Sequence, residues 1–213
     1  MWTKEELTRI AEICLKYGVY IISDEIHSDF IYPVHKQIPI ASLSEEIADR
    51  TITCLSPTKT FNLAGLQAAN IIVPNLALQQ QVRKECASTG YSHLNIMAVT
   101  ATKAAYRNGE NWLDALLEYL QQNVALLRAA FPESYPVSSL NMEGTYLAWL
   151  DCRQISLSPS ELDVLFLKKA KVWLHNGHTF GAGGDGFMRM NIACPKTVLC
   201  EAIERIKTAI ENR

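Results

Sequence analysis

"TITCLSPTKTFNLAG", residues Thr51–Gly65, joins a β-branched run to a short polar turn that holds one lysine, with an apolar segment close behind. The run is too short for a helix and has the texture of a strand buried on both faces of a parallel sheet. The same texture precedes it in "VYIISDEI" (Val19–Ile26) and follows it in "AANIIVP" (Ala68–Pro74). Helical signals lie between these runs. Thr3 and Glu6 have capping-box spacing and Gly18 is a stop, which predicts a helix from about residue 4 to Tyr17. "SEEIADR" (Ser44–Arg50) repeats the helix-before-strand order in part. Helix alternating with buried strand predicts an α/β fold built on a doubly wound, mostly parallel sheet.

From about residue 75 to Phe131 the apolar spacing becomes helical, and three helices fit: "LALQQQVRKECAS", "NIMAVTATKAAYRNG" and "NWLDALLEYLQQNVALLRAAF". Beyond Pro132 and Pro136 the order is strand ("GTYLAWLD"), helix ("SPSELDVLFLKKA"), short strand ("KVWLH"), glycine loop, strand ("FMRMNIA") and a last helix from about Thr197. A boundary near 130 is expected, with residues 1–130 as one domain and 131–213 as a small α+β domain. Trp112, Trp149 and Trp173 fit apolar faces and are expected in the core.

The chain has 213 residues and a net charge of −2, which gives no electrostatic reason for a nucleic-acid partner or an acidic membrane. Its 6 cysteines are scattered through apolar stretches without a CxxC pair, the pattern of buried free thiols in a reducing, cytoplasmic setting. No apolar run approaches the roughly 20 residues of a membrane helix. "MWTKEELTRI" reads as an amphipathic helix start instead of a signal sequence.

Three places in the chain invite chemistry. Lys59 follows a strand end, where ligands of open α/β sheets bind, and a lysine in an apolar pocket can lose its proton and form an imine with a carbonyl. Alone, it reads as a solvated loop lysine. Asp24 and Glu25 stand where the first apolar run gives out, so a carboxylate faces the same crevice, unless it serves as a turn or cap acid. A carboxylate so placed can keep a pyridinium nitrogen protonated, which pyridoxal phosphate (PLP) needs besides its tethering lysine. In "GFMRMNIACP", strand alternation puts Phe187, Arg189 and Asn191 on one face and Met188, Met190 and Ile192 on the other. The Arg189 guanidinium wants a carboxylate, either that of an amino-acid ligand or an internal salt-bridge partner.

"SDEIHSDF" (Ser23–Phe30), "SPTKTFNLAGLQ" (Ser56–Gln67) and "FGAGGDGFMRMNIACP" (Phe180–Pro195), in this order, resemble the signatures of the class I/II aminotransferases among the fold-type I PLP enzymes. The nearest branch is that of the cystathionine β-lyase-like carbon–sulfur lyases. The resemblance covers essentially the whole chain and implies the C-terminal portion of such an enzyme. By it, residues 1–130 are the C-terminal part of the PLP-binding large domain. Lys59 is then the Schiff-base lysine, Asp24 the partner of the pyridine nitrogen, and Ser56 and Thr58 neighbours of the cofactor phosphate, while Arg189 binds the substrate carboxylate. His27 takes the place of a tyrosine that many aminotransferases carry near the cofactor's 3-hydroxyl. Gln67 departs from an arginine used on the phosphate. The implied cofactor is pyridoxal 5'-phosphate, the substrate a small amino acid, the outcome β-elimination or transamination, and the assembly a homodimer. A long segment that family members carry ahead of Trp2 is expected to be lacking, so the chain reads either as the lysine-bearing part of an enzyme or as a non-catalytic remnant or assembly module.

Two other patterns are set aside. Gly181, Gly183 and Gly186 match GxGxxG but lead into a strand, whereas the dinucleotide motif opens a helix. His175 and His178 have no acid or cysteine in metal-ligand spacing, so no metal is expected.

Overall fold

The computed structural model describes residues 1–91 and 93–213. The chain divides into two compact units, Met1–Ala115 and Leu116–Arg213.

The first unit begins with helix α1 (Lys4–Tyr17), in which Thr3 and Glu6 form the expected reciprocal cap and Gly18 closes the C-terminus in the left-handed region at φ 66°. Strand β1 (Ile21–Asp24), the short helix α2 (Glu45–Ala48) and strand β2 (Thr51–Leu55) follow. The lysine turn is a single helical turn, α3 (Pro57–Thr60), and leads to strand β3 (Asn70–Ile72). Helices α4 (Leu76–Ser88) and α5 (Ile96–Asn108) complete the unit. Helix α6 (Glu110–Ala130) crosses from the first unit's residues into the second's.

The sheet order is β1-β2-β3. β1 and β2 are parallel, as expected, but β3 runs antiparallel to β2, so the sheet is mixed. The connection explains the reversal: the Ser56 hydroxyl donates to the Ala68 carbonyl at 2.6 Å, so the chain re-enters the sheet from the edge at which β2 left it. Burial also differs from expectation. Leu7, Ala11, Ile40 and Ile47 form a core against one face, with Ile21 packed on it, while Ile22 is 73 % exposed and all of β3 is exposed. A continuous apolar run reports that both faces want cover, not that this chain's own residues supply it.

The second unit contains β4 (Ser138–Ser139), β5 (Leu147–Asp151), helix α7 (Pro159–Asp163) with a π-helical extension over Val164–Lys169, β6 (His175–Asn176), β7 (Phe187–Asn191) and α8 (Lys196–Glu211). Its sheet is antiparallel throughout, in the order β4-β5-β7-β6. Ala148, Leu150, Met188 and Met190 are the buried positions of the two central strands, and Leu199, Ile203 and Ile206 those of α8. Asn123 of α6 is fully buried and donates to the carbonyls of Ile192 (2.9 Å) and Cys194 (3.1 Å), tying that helix to the end of β7. Leu127, on the same helix, is 0 % exposed, and Leu127→Ala is expected to cost about 3 kcal/mol by leaving a cavity, read as a lower denaturant midpoint with unchanged slope.

"KVWLH" is not a strand. Only His175–Asn176 pair with β7, and Trp173 is 83 % exposed instead of in the core, because the segment's one buried apolar side chain, Leu174, faces the other way. Trp112 is also exposed, although it packs on Phe61 with ring centroids 5.5 Å apart. All 6 cysteines are free thiols; Cys152 alone is buried, while Cys200 is exposed. Among the described residues no helix is long and apolar enough to cross a membrane.

Candidate functional site

Two parallel neighbours end side by side. Asp24 closes β1 and pairs in register with Cys54 of β2, and the Glu25 amide donates to the Cys54 carbonyl at 2.9 Å. One residue beyond β2, Ser56 caps α3 and accepts from the Thr58 amide at 3.0 Å, with Pro57 at the first helical position, where its missing N–H costs nothing. Lys59 is the third residue of that turn. The carboxyl edge of the sheet therefore presents Asp24, Ser56, Thr58 and Lys59 from adjacent strand ends, which is where open α/β sheets place their ligands.

The acids divide as their surroundings dictate. Asp24 is exposed, and its Oδ1 accepts from the Ile26 amide at 3.2 Å. Its charge adds to burial in pushing the Cys54 thiol up. Glu25 is buried and accepts the Ser23 hydroxyl at 3.0 Å, while Asp24 makes the turn-acid contact that the sequence also allowed, so both acids hold local structure and differ in burial. His27 sits in the turn after β1, with its ring centroid 6.1 Å from that of Phe30. Lys59 is half-buried, and its ammonium has no hydrogen bond or ion pair among the described residues.

The Ser56 and Thr58 hydroxyls lie 2.6 Å apart, and Ser56 also faces the Ala68 carbonyl. With the Ser56 proton on the Ala68 carbonyl, the Thr58 hydroxyl donates to Ser56 Oγ, and it is the Thr58 proton that can be redirected outward to an anion. Gln67 ends the short turn Ala64–Leu66 in the left-handed region at φ 53° and is exposed.

Arg189 stands in the second unit, where Trp149 is its cross-strand neighbour. Its guanidinium carbon lies 4.6 Å from the Phe180 ring centroid, and an Nη contacts His175 Nδ1 at 3.4 Å. Its Nε is buried without a partner, and the guanidinium forms no salt bridge among the described residues. The internal ion pair that would have made Arg189 purely structural is therefore not what the fold builds. The strand alternation holds: Met188, Met190 and Ile192 are buried on the opposite face.

Residues 1–206 match the family model for aminotransferase class I and II. The chain belongs to that family. It is 42 % identical over 210 residues to cystathionine β-lyase PatB of Bacillus subtilis, aligning 98 % of this chain with 54 % of that protein. It superposes on cystalysin of Treponema denticola, solved with pyridoxal 5'-phosphate, with a TM-score of 0.96 at 33 % identity, covering 100 % of this chain and 54 % of that one. The PLP-bound C–S lyase from Staphylococcus hominis superposes with a TM-score of 0.87 at 33 % identity, over 98 % of this chain and 53 % of that one. The aminotransferase-family chain thus spans about half the length of the relatives it matches.

Within this family chain, the glycine loop shapes the ground under Arg189. It consists of two tight turns, Gly177–Phe180 and Ala182–Gly184, and opens into β7. The His178 ring nitrogen Nδ1 meets Asp185 Oδ1 at 2.6 Å across it. A Cβ on Gly184 would fall 1.9 Å from the Gly177 carbonyl oxygen, so the backbone itself would have to move. Gly184→Ala is expected to destabilise the chain by about 2 kcal/mol, seen in the denaturant midpoint, because close-packed backbone cannot yield as a side-chain tip can.

Sequence spacing missed two pairs at the first unit's edge. Asn70 Nδ2 donates to the Tyr106 hydroxyl at 3.3 Å, and Thr60 Oγ1 donates to Asp29 Oδ2 at 2.7 Å. Burial pushes the Tyr106 phenol up, opposed by the Asn70 hydrogen bond and reinforced by the Asp29 charge. Each pair joins residues more than 30 positions apart, and no local pattern marks them.

Proposed function

We propose that this chain is the lysine-bearing, C-terminal portion of a PLP-dependent enzyme acting on small amino acids, most specifically a carbon–sulfur β-lyase of the cystathionine β-lyase kind. The observation that carries the reading is the Lys59 ammonium, half-buried and unpartnered at a strand edge shared with Asp24. The donor set fits the cofactor: an amine for its aldehyde, a carboxylate for its ring nitrogen and a hydroxyl pair whose Thr58 proton can be redirected to its phosphate. When bound, PLP supplies an electron sink for charge developing at the substrate Cα.

The chain's own residues do the rest. Lys59 would hold the cofactor by its aldehyde, and as a free amine it would serve as the general base for the Cα proton. Asp24 holds the proton on the pyridine nitrogen, since an anion beside it favours the cationic form. Thr58 and Ser56 orient the phosphate by turning a hydroxyl outward. Arg189 grips the α-carboxylate with two parallel N–H donors, while Phe180 beneath the guanidinium fixes its plane. His27, by the resemblance the residue that would lie near the 3-hydroxyl, is the reason to favour elimination of a thiolate over transamination.

Residues 1–130 serve here as part of the PLP-binding large domain and 131–213 as the small domain. We infer a homodimer and, from 6 unpaired cysteines, a cytoplasmic setting. A second reading, a non-catalytic remnant or assembly module, has one observation behind it: Ile22, Ile71 and Ile72 are exposed on the first unit's sheet, an apolar surface of the kind that docks a partner segment. Titrating the chain with PLP and following the visible absorption of the lysine adduct tests both. A saturable band supports a competent cofactor site, and no band favours the module.

A further inference from the structure

We propose that Asp29 is a positioning residue for Lys59: its carboxylate, through the Thr60 hydroxyl, clamps the lysine-bearing turn to the loop that follows β1. The inference rests on the cofactor reading above and adds to it the element that holds the amine in place.

Helix α3 is a four-residue turn, Pro57–Thr60, far too short to sustain itself by its own hydrogen bonds. It needs anchors. At its start Ser56 supplies the cap. Beyond its end Phe61 packs on Trp112. Beside Lys59 itself the anchor is Thr60, which is 0 % exposed and donates to Asp29 Oδ2 at 2.7 Å. A hydroxyl donating to a carboxylate is among the stronger neutral-to-charged hydrogen bonds, and losing the acceptor would leave a buried hydroxyl without that partner.

Asp29 is itself well held. It lies in a turn in which the Ser28 amide donates to the Glu25 carbonyl and the Phe30 amide to the His27 carbonyl, both at 3.0 Å, and Phe30 is buried. The same turn starts from Asp24 and carries His27. The clamp therefore sets the distance between the group that would hold the ring nitrogen and the group that would hold the aldehyde. Effective tethering depends on that distance, because a pre-set geometry removes the ordering cost from each encounter.

The test uses the 213-residue chain and two readouts: amide hydrogen exchange over residues 58–61 without PLP, and the apparent PLP affinity from the visible band, with Lys59→Ala as the blank. Asp29→Ala is expected to speed exchange in that segment about tenfold and to weaken PLP about tenfold, with exchange in α8 unchanged. Thr60→Ala should do the same, and the double variant no more than either alone. Asp29→Asn keeps an oxygen acceptor and should stay within about twofold of the parent. Should Asp29→Ala fail to fold, Thr60→Ala and Asp29→Asn carry the comparison. Exchange within about twofold of the parent in Asp29→Ala and Thr60→Ala, additive losses in the double variant, or an Asn variant as impaired as the Ala variant would each overturn the clamp. A parent chain without a Lys59-dependent band defeats the cofactor reading instead, and the exchange data still decide whether the clamp exists.

Discussion

Lys59→Ala is expected to abolish the visible band that the chain develops with PLP, and to lower turnover about 10³-fold or more in an active assembly containing it. The size follows from two losses at one atom: no amine remains to tether the aldehyde, and no base remains to take the Cα proton. Lys59→Arg should fail as badly, since a guanidinium keeps the charge but stays protonated and cannot form the adduct. The chain holds other lysines, so the site of attachment has to be read directly. Borohydride reduction followed by peptide mapping should place the label on the peptide containing Pro57–Thr60. A label spread over surface lysines, or a band that survives Lys59→Ala, would remove the basis for the proposed function.

Arg189→Ala should raise KM for an amino-acid substrate about 100-fold while leaving PLP affinity within about twofold, the effect of losing a paired, charge-assisted grip on a carboxylate. The structure gives the reason to expect so large a change: the guanidinium has no internal carboxylate to lose, so the whole effect falls on the ligand. Arg189→Lys should restore little, because an ammonium cannot reproduce the planar two-point contact or the stacking on Phe180. An amine substrate lacking the carboxylate should be indifferent to both changes. Equal losses of substrate and cofactor binding would show instead that Arg189 supports the unit's structure.

Much of the site was legible in the sequence because its carriers are strand ends and turns. The β-branched run ending at Leu55 announces a strand and the polar residues behind it a turn; the structure has both, and shows the turn to be helical and capped by Ser56. The alternation in β7 places Arg189 opposite three buried apolar side chains, as expected. What spacing could not show is which of two neighbouring acids is buried. Asp24 and Glu25 are chemically alike and adjacent, and only burial against Ser23 separates Glu25 from the exposed Asp24. The role left open for Arg189 was likewise a question about distant neighbours.

The sequence by itself determined the order and kind of the main elements, the caps of α1, the three helices between residues 76 and 130 and the motifs that mark the family. These signals act between residues a few positions apart, where side-chain period and capping chemistry are decided. Only the tertiary structure decided that β3 runs antiparallel, that Trp173 faces solvent, that Ile22 and the whole of β3 stay exposed and that Thr60 is tied to Asp29. Those outcomes depend on which distant groups reach one another and which surfaces other elements cover, and local periodicity carries no record of either.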